Sequence, residues 1–387
     1  MGSEKGMLQR GGLLLIFAFV ASALPVHADV TTERSSSILM FPKVVSETSN
    51  VDTIIQISNT SNSMVFAHCF YVDAAPQCSN SSGSCMSTPV TCTGTCQPQW
   101  QEVDFDIFLT KQQPTHWVAS TGRQVQGGAT TDKRCSLGFR DCNGAGFAPG
   151  AIPPVADMFT GELMCVEVDS SDAPINGNHL KGEATIVTSD GDASKYNAVG
   201  VMGLNGAAGT NNGDNTLCLG GGVSESCPTG AEYNACPQAL ILNHFTGRAS
   251  NPAIDELANV TSSVTTELTL VPCTADFENQ IPGQVVVQFL ITNEFEELFS
   301  TSTTVMCWSN FVLSAVNSVF LEGSLGSRFA QTRMTPATSD QPGFVGVAEE
   351  FHYLSANATG QHSRAAVNIH GEGARPNADL IILPGIF

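Results

Sequence analysis

Short apolar runs rich in Val, Ile, Thr and Phe recur along the chain, separated by Gly, Asn, Asp, Ser and Pro. These are strand and turn signals. The first runs predict strands over residues 38–45, 53–59 and 64–73, the last two joined as a hairpin through the polar turn 60–63. Residues 102–109 alternate. Val103, Phe105, Ile107 and Leu109 point one way, and Glu102, Asp104 and Asp106 point the other. That period predicts a strand with one buried and one solvated, acidic face. Residues 115–120 continue the pattern.

Further runs predict strands at 161–168, 182–188, 198–204, 263–271, 284–292, 303–311, 318–321, 343–349, 365–370 and 378–383. A short strand or helix is expected at 238–245, and a helical turn or two at 251–259. No long amphipathic helical pattern interrupts the strands. Strands at this spacing without intervening helices predict an all-β chain of antiparallel β-sandwich architecture rather than βαβ units. Residues 54–59 with Cys69-Phe70 resemble residues 286–293 with Cys307-Trp308, a likeness that fits two ordinary hairpins of similar composition as well as a duplication.

Two stretches break the strand pattern. Residues 74–98 are almost all Ser, Thr, Pro, Gly, Asn, Gln and Cys, and residues 206–222 are rich in Gly and Asn. Neither can bury a core. A Pro-rich strap at 148–154 marks a boundary between two sandwich-like domains, 29–155 and 156–387. Residues 1–28 read as a secretory signal peptide. Lys5 and Arg10 precede an apolar run of about a dozen residues, too short to span a bilayer, and Val26-His27-Ala28 ends it with a small residue. That exit gives a mature start at Asp29, with Ala21-Ser22-Ala23 as the alternative exit.

Export changes how the cysteines are read. The chain of 387 residues carries 13 of them, and in an oxidising compartment such density makes disulfides. Cys78, Cys85, Cys92 and Cys96 are expected to form two local bridges. Cys135 is expected to pair with Cys142, and two of Cys218, Cys227 and Cys236 to pair across the insertion. An odd count leaves at least one thiol over. A four-thiolate zinc site from the first four cysteines is the disfavoured alternative.

The formal net charge of −20 repels phosphate backbones and excludes nucleic acid as an easy partner. Candidate chemistry is sparse. There is no G-x-S-x-G elbow, no H-E-x-x-H, no C-x-x-C pair and no phosphate-cradling loop. Asp104 and Asp106 lie about 6–7 Å apart along one strand face, a separation found in glycoside hydrolysis, but a solvated face explains them without a substrate. His68 sits between Phe66 and Phe70 and reads as a packed structural residue. Residues 189–192 and 211–215 collect oxygens as a structural calcium loop would, and read equally as turn formers.

The sequence therefore predicts a secreted, extracellular or periplasmic, disulfide-stapled β protein with a structural, adhesive or surface-binding role. No catalytic, cofactor or metal residue is assigned. Its partner is expected to be a protein or glycan surface, contacted through the two loops or a sheet edge, where self-association is also possible. No second apolar stretch long enough to span a membrane is present. A secreted hydrolase with a site assembled from distant residues is the alternative. N-terminal sequencing of the exported protein is expected to begin at Asp29, and an intact Met1 would refute the leader.

Overall fold

The computed structural model describes residues 30–80, 82, 85, 91–98, 100–123, 151–204, 214–246, 263–353 and 362–385. The expected leader 1–28, Cys135 and Cys142, the start of the strap, positions 206–213 and the helical turn at 251–259 lie outside them.

The described chain is all-β, with helix confined to Leu313–Val316, Glu322–Leu325 and the 3-10 turn Ser318–Phe320. A six-stranded sheet runs in the order Val30–Thr31, Val199–Val201, Ile38–Ser46, Phe159–Val168, Val65–Asp73, Gln101–Leu109. One four-stranded sheet orders Ala193–Asn197, Leu180–Thr188, Val51–Asn59, Pro114–Val118. A second orders Ser309–Val312, Ser263–Pro272, Phe344–Tyr353, His362–Asn368. A five-stranded sheet orders Leu298–Met306, Gln284–Asn293, Phe329–Pro336, Pro237–Phe245, His370–Ala374. Thr216–Leu219, Asp379–Ile382 and Ala275–Asp276 form a three-stranded sheet, and Pro76–Cys78 pairs with Cys96–Pro98.

This arrangement overturns the expected β-sandwich. The five sheets of three or more strands are disposed as the blades of a five-bladed β-propeller of small sheets. The physical reason lies in the six-stranded sheet. A sandwich sheet buries one face, whereas Ile38–Ser46 and Phe159–Val168 are buried at nearly every position. Leu39, Phe41, Tyr71 and Leu163 enter one apolar cluster. Their neighbours Ile38, Met40, Phe70, Val72 and Met164 enter another, which also takes Val271, Val345 and Ile381 from other sheets. A third cluster joins Leu240, Val287, Phe289 and Met334 to Leu268 and Ala348.

Strand partners depart from the sequence reading elsewhere. Residues 60–63 do not close a hairpin, because Val51–Asn59 and Val65–Asp73 belong to different sheets. Asn59 explains the local turn: its side-chain amide donates to the carbonyls of Ser63 and Thr110, and its Oδ1 accepts from Ser61 N. The strand expected at 303–311 breaks at Cys307, whose φ is 60°, and the one expected at 318–321 is the 3-10 turn. Part of the Gly/Asn-rich insertion forms the strand Thr216–Leu219.

One polar tie crosses the apolar clusters. Pro42 has no N–H to give the ladder, and the Ile38–Ser46 register slips between Phe41 and Val44. The freed groups are taken up. Trp308 Nε1 donates to Pro42 O at 2.7 Å, and Tyr196 OH donates to Lys43 O at 2.6 Å. Lys43 thus enters the interior, with Nζ 2.5 Å from Glu349 and 3.0 Å from Glu267. Arg364 lies 3.2 Å from Glu349. Burial alone would raise the Glu349 pKa, but Lys43 and Arg364 outweigh it and hold the carboxyl below its ordinary value.

Glu162 lacks such help. It is 1% exposed, its Oε2 has no hydrogen-bond partner among the described residues, and burial pushes its pKa up to about 8.

Two outcomes follow from these buried charges. Lys43→Met removes the ammonium that Glu349 and Glu267 share, leaving Glu349 to Arg364 and Ser194, and denaturant unfolding is expected to show a loss of about 3 kcal/mol. Glu349→Gln added to it should cost less than the sum of the two single changes. Glu162 holds its proton in the folded state and releases it on unfolding above the ordinary carboxylate range. Its stabilising share is therefore complete below about pH 4.5 and lost as pH rises through about 8. Glu162→Gln should flatten that fall, which has a slope of up to about 1.4 kcal/mol per pH unit. Parallel stability–pH curves for the two proteins would refute it.

Candidate functional site

An open depression of about 420 Å³ lies at one end of the five-stranded sheet, lined by Phe245, Glu294, Phe295, Glu322, Gly326, Ser327, Arg328 and Phe329. Three separate segments build it. Phe245 ends one strand and Phe329 begins its neighbour, and the two are cross-strand partners. Their rings meet edge to face at 5.4 Å.

Glu294 and Phe295 sit on the turn between Gln284–Asn293 and Leu298–Met306. Asn293 organises that turn. Its Oδ1 accepts from Phe295 N and Glu297 N, both at 2.9 Å, while its Nδ2 donates to Leu325 O at 2.6 Å. The last bond ties the turn to the helical segment Glu322–Leu325. Gly326 ends that segment in the left-handed region, φ 65°, with its N–H on Glu322 O. The chain then turns so that Ser327 and Arg328 face the depression.

Phe295 is 69% exposed and Phe329 36%. Folding gains little from leaving these rings in water, so their position is a feature of the surface. The polar rim is already paired. Arg328 Nε donates to Glu322 at 3.2 Å, and Ser327 Oγ donates to Glu294. Ring faces beside oriented carboxylates and a guanidinium suit a ligand with both C–H faces and hydroxyls. A shallower hollow along the same sheet is lined by Asn243, Thr292, Gln331 and Phe329 among others.

The depression lies at neither loop singled out in the sequence. The 74–98 loop is closed by Cys78–Cys92 and Cys85–Cys96, and Cys218 is bonded to Cys227. Cys236 is bonded to Cys273 rather than to a neighbour in the insertion. Cys69–Cys165 joins directly opposed residues of adjacent strands, a pair that sequence spacing gives no sign of. Cys307 is buried and free among the described residues. Of the calcium-type loops, 189–192 is the hairpin turn in which Thr188 Oγ1 donates to Asp190, and 211–213 lies outside the described residues.

Asp104 and Asp106 do not face each other across a cleft. Both turn toward His68, which stacks on Phe70 at 4.6 Å; Asp106 and Asp172 lie at its Nδ1 and Asp104 at its Nε2. Burial works to lower the His68 pKa, but the close Asp104 carboxylate, the hydrogen bond to Asp172 and the charges of Asp172 and Asp106 reverse this and push it up to about 10. Burial, with the Asp104 charge, raises Glu102 to about 7. Asp172 was invisible to sequence reasoning because it comes from a separate turn.

No Ser–His–acid relay is assembled among the described residues. His116 shares a hollow with Ser58 and Glu183 but forms no hydrogen bond to either. His244 is buried between Thr332 Oγ1 and Phe245 O.

The described chain is thus a disulfide-rich all-β protein, and among the described residues no helix is long and apolar enough to cross a membrane. No protein-family model and no curated protein matches it. Among solved structures, the apo form of the Pleurotus ostreatus lectin is similar at 10% identity and a TM-score of 0.15, over 93% of this chain and 87% of that one. A likeness at that level carries no argument about fold or ligand.

Proposed function

We propose that the protein is exported and acts without catalysis, binding a glycan surface at the depression bounded by Phe245, Phe295 and Phe329. The observation that carries this reading is the exposed aromatic group set among hydrogen-bonding side chains. A pyranose lays its C–H face on a ring and turns its hydroxyls to Glu294, Glu322, Ser327 and Arg328. Export is supported by the leader-like first 28 residues and by five disulfides among the described residues.

The edge strand Leu298–Met306 borders the same sheet. Its Leu298 and Met306 are exposed, and it has pairing groups to offer a second chain. Strand addition there would array several depressions on one assembly and raise avidity toward a repetitive surface.

The test is a glycan array followed by calorimetry on the hits, using the purified oxidised protein. Phe295→Ala and Phe329→Ala are each expected to weaken binding about tenfold, the scale of one lost aromatic contact. Neither should alter the fold, since both rings are exposed. Absence of any glycan ligand, or binding indifferent to both substitutions, would overturn the reading.

A further inference from the structure

Away from that depression, at the far edge of the six-stranded sheet, a second group of side chains is put together with more order than a solvated face requires. His68 is paired across the ladder with Asp106, and Phe70 with Asp104. All four side chains therefore point to the same face. The Phe70 ring lies nearly parallel to the imidazole, 15° between planes, and fixes its orientation. Asp172 arrives from the turn after Phe159–Val168. Asp169 shapes that turn by accepting from Ser171 N, Ser171 Oγ and Ala173 N, and Asp172 itself has φ 70°.

The two imidazole nitrogens meet different surroundings. Nδ1 lies 3.0 Å from Asp172 and 3.3 Å from Asp106. Nε2 lies 3.4 Å from Asp104. A protonated imidazole has two N–H groups, one on each nitrogen, yet two carboxylates converge on the Nδ1 side. One N–H cannot point at both. A cation with several coordination positions can serve both. The ligand atoms of His68, Asp106 and Asp172 all lie within 4.8 Å of one another. For the two pairs that include Nδ1, 3.0 and 3.3 Å apart, an ion about 2.1 Å from each atom would see angles of roughly 90–105°, between octahedral and tetrahedral.

We propose that His68 Nδ1, Asp106 and Asp172 bind a divalent transition cation of the manganese–zinc class, with Asp104 accepting from Nε2–H. Asp104 lies 3.4 Å from Nε2, which has no hydrogen-bond partner among the described residues; closing that gap would give the carboxylate–histidine–metal arrangement, which fixes the tautomer that leaves Nδ1 its lone pair. One nitrogen among oxygens favours this class over calcium, which takes oxygens alone. The balance is simple: the cation enters, His68 gives up one proton to solvent, and no bond of the protein is broken. Asp104 and Asp106 are more than half exposed, so the ion has a path from water that also completes its coordination.

The experiment uses the oxidised full chain after dialysis against a chelator. Manganese binding is followed by electron paramagnetic resonance, which free thiols do not disturb, and zinc binding by calorimetry. One manganese per chain is expected, retained against an equal concentration of calcium. Asp172→Asn lies on a surface turn, leaves the fold in place, and should weaken binding by more than about tenfold. His68→Gln should abolish it, with near-ultraviolet circular dichroism checking the fold. Asp104→Asn, which touches no ion, should weaken it by about 10- to 100-fold. No stoichiometric manganese or zinc at millimolar cation, displacement by equal calcium, or binding unchanged in Asp172→Asn would each overturn the proposal.

Discussion

The structure depends on the six-stranded sheet having no wet face along its middle strands. Once residues of both parities in Ile38–Ser46 and Phe159–Val168 are buried, each strand must be covered from both sides. Two apolar clusters result, one on each face, and the smaller sheets take their places by supplying the covering side chains. Burial on this scale leaves almost no room for polar groups inside. Those that enter do so in company, as Lys43 does with Glu349 and Glu267, or remain neutral, as Glu162 does. The Lys43 cluster is a weak source of net stability, because desolvation offsets much of the attraction. What it specifies is placement: only one docking of the sheets brings the Pro42 bulge to Glu267, Glu349 and Trp308 at once.

The same constraint decides where binding features can lie. Both groups of functional interest lie off the doubly buried strands. The Phe245–Phe329 pair closes one end of the five-stranded sheet, and His68 sits near the edge strand Gln101–Leu109. Each is then completed by a turn from another part of the chain. Asn293 supplies the first and Asp169 the second, each by accepting several backbone N–H groups through a side-chain oxygen. The rigid sheet sets one half of each site and an Asx-type turn sets the other.

Much of the strand content was legible because period-two alternation and turn residues are local signals. Val51–Asn59, Gln101–Leu109 and Gln284–Asn293 begin or end within two residues of where the pattern placed them. Which strands become neighbours is not a local property. The polar turn at 60–63 suits a hairpin, yet the chain changes sheets there, and nothing in four residues distinguishes the two outcomes. The sandwich expectation failed for a related reason: Ile38–Ser46 is apolar at most positions, and a run of that kind states that both faces are covered without stating by what. Alternation also misplaced Val103, which is exposed although it shares parity with buried Phe105 and Ile107. His68 was read as packed against aromatics, and it does stack on Phe70, but its three carboxylates come from two other segments. The aromatic depression left no trace, because Phe245, Phe295 and Phe329 are far apart in sequence and unremarkable singly.

Charge separates the two sites by the kind of ligand each can hold. At the aromatic depression Arg328 is matched by Glu322, and Glu294 already receives the Ser327 hydroxyl. A further full charge brought there would find its opposite engaged, whereas a neutral hydroxyl can share these groups without displacing them. At His68 the opposite holds. Three carboxylates around one imidazole leave excess negative charge even when the ring is protonated, and a neutral ligand would do nothing to relieve it. Here a stacked ring, a paired strand and a shaped turn hold the three carboxylates together against their mutual repulsion, which a bound cation would remove.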